Sequence, residues 1–70
     1  MMPLVYAKTG ETQIIRKIGG SPEVKKHLED LGFVVGREAG VVSTLGENLI
    51  VKVKESRVAL SDELARKIMI

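Results

Sequence analysis

The chain contains no cysteine and no tryptophan. Without thiols there is no disulfide frame, no zinc–thiolate site and no iron–sulfur centre. Tyr6 and Phe33 are the only aromatic residues. A single-stranded nucleic-acid platform needs exposed aromatics and clustered Lys/Arg. Here eleven Lys/Arg are interspersed with nine Asp/Glu, for a net charge of +2, so a nucleic-acid partner is not expected. No apolar run approaches the roughly 18–20 residues of a membrane-spanning helix, so direct membrane insertion is not expected either. The first residues, Met1 to Lys8, lack a basic segment ahead of an apolar one. They do not read as a signal peptide, and the expected location is cytoplasmic. No Gly-x-x-x-x-Gly-Lys-Ser/Thr phosphate loop is present. His27 is the only histidine, and no nucleophile motif accompanies it, so the chain does not read as an enzyme.

What is present is aliphatic. Ile, Leu and Val dominate the 70 residues, a length that allows one small domain, residues 1–70. Thr12 to Ile18 is rich in branched residues and predicts a strand, broken by Gly19-Gly20. Ser21-Pro22-Glu23 is a helix start: a hydroxyl cap, a proline suited to the first turn, and a carboxylate that complements the dipole. Val24, Leu28 and Leu31 recur at helical spacing and form the buried stripe, leaving Lys25, Lys26 and Glu29 solvated. Gly32 then reads as a left-handed helix stop.

Gly36 is expected to open a second strand through Val42, with Ser43 to Asn48 as a polar loop. Leu49 to Lys54 alternates, with Leu49, Val51 and Val53 inward and Ile50, Lys52 and Lys54 outward. Ile50 faces either a partner or the underside of the late helix. Glu55-Ser56 predicts a tight turn into Arg57–Leu60. Ser61 caps a helix expected to reach Lys67, and Ile68 to Ile70 is a candidate closing strand. The sum is a mainly β protein with two helices, a small bent sheet that closes on itself as a barrel.

Four motifs in order resemble the FeoA family, small proteins that accompany the ferrous-iron permease of bacteria and archaea. They are Leu4-x-x-Ala7-Lys8-x-Gly10, Leu28-x-x-Leu31-Gly32-Phe33-x-x-Gly36, Leu45-Gly46-Glu47 and Arg57-Val58-Ala59-Leu60. Val35 and Asn48 depart from the pattern, since family members often carry proline at these places. The resemblance implies an SH3-like β-barrel. It also implies a non-enzymatic accessory role, docking on the cytoplasmic part of the FeoB GTPase-permease. A similar domain ends the diphtheria-toxin-repressor-type regulators, so a free-standing metal-sensing or regulatory domain is the alternative.

Loops carry recognition while a scaffold holds them. The docking candidates are therefore Leu45, Gly46 and Glu47 in one loop, and Gly32, Phe33 and Gly36 in the other. Leu45 is either an exposed apolar anchor or a plug for the barrel end. Glu23, His27 and Asp30 fall at i, i+4 and i+7, a spacing that can hold a divalent metal. The bland reading is a solvated helix face. No cofactor is required by any motif, and a homo-oligomer is left open.

Overall fold

The computed structural model describes all residues from Met1 to Ile70. The first branched segment does not run as one strand. It divides into β1 (Thr12–Ile14) and β2 (Lys17–Ile18). At the break the chain changes partners: the Ile15 amide donates to the Arg37 carbonyl at 2.9 Å, and the Arg16 amide to the Met69 carbonyl at 2.8 Å. Successive amides that point at different strands make a corner, and the corner carries the chain from one sheet to the other.

Ser21 begins α1 (Pro22–Asp30) as expected, its hydroxyl accepting from the Val24 amide at 3.3 Å. At the other end the Phe33 amide donates to the Leu28 carbonyl and the Gly32 amide to the Glu29 carbonyl, both at 2.9 Å. This pair of bonds is a Schellman stop. It requires a left-handed residue, and Gly32 has φ +108°. The stop also fixes the packing, because it sets Phe33 and Leu28 side by side in the core, both fully buried.

A second turn follows at once. The Arg37 amide donates to the Val34 carbonyl at 3.1 Å, and Gly36, third of the four residues, has φ +90°. That is the sign pattern of a type II turn. It delays the next strand, which opens at Glu38 and not at Gly36.

Three long strands follow: β3 (Glu38–Leu45), β4 (Asn48–Val53) and β5 (Ser56–Ser61). Most of the expected Ser43–Asn48 loop is strand, and the turn itself is only Gly46-Glu47. The next turn is Lys54-Glu55, one residue earlier than expected, with Lys54 at φ +56°. Lys54 is the one non-glycine residue with positive φ, a conformation that costs a β-carbon about 1–2 kcal/mol. Alternation in β4 holds, with Leu49, Val51 and Val53 buried and Lys52 exposed. Ile50 is half-buried on the other face, paired with Ser43 and Ala59.

The late helix α2 (Asp62–Ala65) is a single turn and stops short of Lys67. Ser61 caps it as expected, accepting from the Leu64 amide at 3.2 Å. The chain then closes with β6 (Ile68–Met69), which pairs with β2, while Met2 and Ile70 exchange two amide bonds at 3.0 and 2.8 Å. The strands form a four-stranded antiparallel sheet, β1-β3-β4-β5, and a two-stranded one, β2-β6. Both pack on one core of thirteen apolar residues, among them Leu4 from a 3-10 turn at Leu4–Tyr6. The arrangement is SH3-like and mainly β with two helices. Its hydrogen-bond ladder does not run unbroken around the core, so β5 keeps a free edge.

Candidate docking site

The Leu45-Gly46-Glu47 motif forms the tip of the β3–β4 hairpin. Leu45 pairs with Asn48 across the turn, and Gly46 has φ +62° in its first central position. Leu45 is 70% exposed, so it does not plug the end of the fold. The cause lies three residues back. Val41 pairs with Val51, but Ser43 pairs with Ile50, so Val42 is a bulge. One extra residue reverses every later side chain in a strand. Without the bulge, Leu45 would share the buried face of Ala39 and Val41. With it, Leu45 points outward.

The tip is anchored. The Asp62 amide donates to the Glu47 carbonyl at 2.9 Å, tying the turn to the start of α2. A shallow groove runs between them, with Glu47, Asp62 and Glu63 on its rim and Val5 and Leu49 as its apolar residues. Behind it Arg66 donates to Asp62 and to the Tyr6 hydroxyl, at 2.8 and 2.9 Å, and its guanidinium stands 5.5 Å from the Tyr6 ring centre. The hydrogen bond to Asp62, then that to Tyr6, hold the Arg66 pKa above its ordinary value. All three groups are at the surface, so solvent screens the pairing and it adds little to stability. Sequence spacing could have shown the Asp62–Arg66 step of four residues, but not Tyr6, which is sixty residues away.

The second docking candidate behaves differently. Phe33 is fully buried and Gly32 is buried with it. Phe33 is a core residue and is corrected from the docking set, because the Schellman stop turns its ring inward. Gly32 leaves the set too: a β-carbon there would stand 3.5 Å from the Val53 side chain. Gly36 is exposed, and beside it Val35 is the apolar residue on view, at 63%. The two candidate loops are not brought together. Gly32 lies against Val53 and Leu45 against Asn48, at opposite ends of β4, roughly 17 Å apart for a six-residue strand.

Glu23, His27 and Asp30 are all exposed on α1. They form no cluster able to hold an ion, and no group of three His, Asp or Glu side chains in the molecule does so.

These features define a class: a small SH3-like domain that presents turns and a strand edge from a closely packed core. The FeoA domain family matches residues 2–70, and the chain belongs to that family. A protein of Methanocaldococcus jannaschii provisionally named Fe(2+) transport protein A is 33% identical over all of this chain and 85% of its own length. Among solved structures, FeoA of Stenotrophomonas maltophilia, determined with zinc and described as an SH3-domain protein, is 25% identical. It covers 99% of this chain and 88% of its own, with a TM-score of 0.85. Iron(II) transport protein A of Clostridium thermocellum is 26% identical over 97% of this chain and 43% of its own, with a TM-score of 0.90. A manganese-dependent transcriptional repressor shares the fold at 17% identity, with a TM-score of 0.84 over 38% of its chain.

Proposed function

We propose that this protein is a non-enzymatic accessory module of ferrous-iron uptake that docks, in the cytoplasm, on the cytoplasmic part of a FeoB-type GTPase-permease and modulates it. Family membership supplies the iron connection. The single observation that carries the docking reading is Leu45, a large apolar side chain held outward at an anchored hairpin tip. At 70% exposure Leu45 adds little to the core, and an apolar centre within a polar rim is the usual anatomy of a protein interface. The module needs no cofactor in this role, and nucleotide chemistry belongs to the partner.

The test is Leu45→Ser, measured for both stability and binding to the permease's cytoplasmic region. Stability should stay within about 0.5 kcal/mol of the parent, as for a surface change. Binding should weaken at least tenfold, about 1.4 kcal/mol. Unchanged binding would remove the hairpin tip as the docking surface.

A further inference from the structure

β5 is the last strand of its sheet, and its outer edge is open. The direction of its backbone groups follows from the register. Val53 and Ser56 flank a two-residue turn, so they exchange both amide bonds, as do Val51 with Val58 and Leu49 with Leu60. The bond from the Asp62 amide to the Glu47 carbonyl continues the same phase. The amides and carbonyls of Arg57 and Ala59 therefore point away from β4. They make no backbone bond outside the sheet ladder, and both residues are exposed.

Charge is concentrated beside this edge. Arg57 stands directly opposite Lys52, and like charges opposite one another across a sheet are destabilising. Neither Lys52 nor Arg57 forms an ion pair, the only salt bridge in the molecule being Arg66–Asp62, although Glu11 and Glu38 share a shallow groove with Lys52. On the far side of Lys52 sits Gly40, which has no side chain to cover the strand.

We propose that the β5 edge takes up an extended acidic segment of a partner protein as an added strand. Arg57 and Ala59 supply the main-chain bonds, and Lys52 and Arg57 meet its carboxylates. Alternate side chains of the incoming strand face opposite sides. Acidic residues on the outer face would neutralise the Lys52–Arg57 repulsion, while apolar residues on the inner face would cover the half-exposed Val58. A second copy of this chain is the poorer occupant, since self-pairing along β5 adds another Arg57 and Lys52 to the same face. Docking remains the premise, since strand addition needs a protein partner.

The probe is a capped peptide of alternating Glu and Val, titrated into the isotope-labelled protein and followed by amide NMR and hydrogen exchange. The Arg57 and Ala59 amides should shift and gain protection. A peptide with Lys in place of Glu should bind at least tenfold more weakly. Ala59→Pro removes an outward amide without touching the bonds to β4, and should weaken binding at least tenfold. Arg57→Glu, a surface change that does not depend on tolerance of proline, should do the same and favour the Lys peptide. No change at Arg57 and Ala59, equal binding of the two peptides, or full binding by Arg57→Glu would overturn the proposal. Dimerisation through β5 without peptide would overturn it in favour of a second copy. The peptide reads the edge and Leu45→Ser reads the hairpin tip, so either can fail alone.

Discussion

Phe33 illustrates how one residue can carry a motif and yet have nothing to do with recognition. It follows the helix-stop glycine, and the stop aims its ring at Leu28 and the sheet. Truncating a buried phenylalanine costs about 3–5 kcal/mol. At about 0.05–0.15 kcal/mol per residue, the whole domain is stable by only roughly 4–10 kcal/mol. Phe33→Ala should therefore remove a large share of the stability, and denaturant unfolding will show it as a lower midpoint with a similar slope. A midpoint like the parent's would return Phe33 to the surface. Sequence spacing had placed it correctly beside the stop, but the direction of its side chain depends on the left-handed turn at Gly32.

At the scale of elements, the turns decide where strands begin and which face they present. Val34 to Arg37 is a type II turn with Gly36 in its left-handed position and Val35 in the position that favours proline. The Val35 amide makes no backbone bond, and the side chain is exposed. Val35→Pro should therefore stabilise by about 0.4–1 kcal/mol, chiefly by restricting the unfolded chain. A melting temperature raised by roughly 2–8 °C is the expected reading. A lower one would mean that the backbone at Val35 does not fit the ring. The helix starts at Ser21 and Ser61, the alternation of β4 and the closing strand were legible because each rests on local chemistry or a short period. The corner at Ile15-Arg16 and the bulge at Val42 were not. Both exist because the chain must satisfy partners far away in sequence: Arg37 and Met69 for the corner, Val51 and Ile50 for the bulge.

At the scale of the molecule, the fold offers turns, shallow grooves and free strand edges, that of β5 among them. None of the turns is a phosphate loop, since the sequence lacks that glycine-lysine pattern. The isolated protein should accordingly show no micromolar affinity for GTP with magnesium. Calorimetric titration decides this, and saturable one-to-one heat would contradict an accessory module that leaves nucleotide chemistry to its partner.

Composition and local pattern by themselves determined much of this protein. They established a thiol-free, aliphatic, mainly β domain, two capped helices and a glycine helix stop, together with the motif order of the FeoA family. These depend on side-chain chemistry within a few residues, which the sequence displays directly. The tertiary structure alone decided that Leu45 faces solvent, that Phe33 does not, that the two candidate loops lie at opposite ends of β4, and that β5 is an open edge beside Lys52 and Arg57. The outward Leu45 and the meeting of Lys52 with Arg57 depend on register, which is set by pairing between distant strands. The burial of Phe33 depends on the core that the Gly32 stop turns it into, and the open edge on the order of the strands. A single bulged residue reverses the face of everything after it, and nothing local to Leu45 records that it has happened.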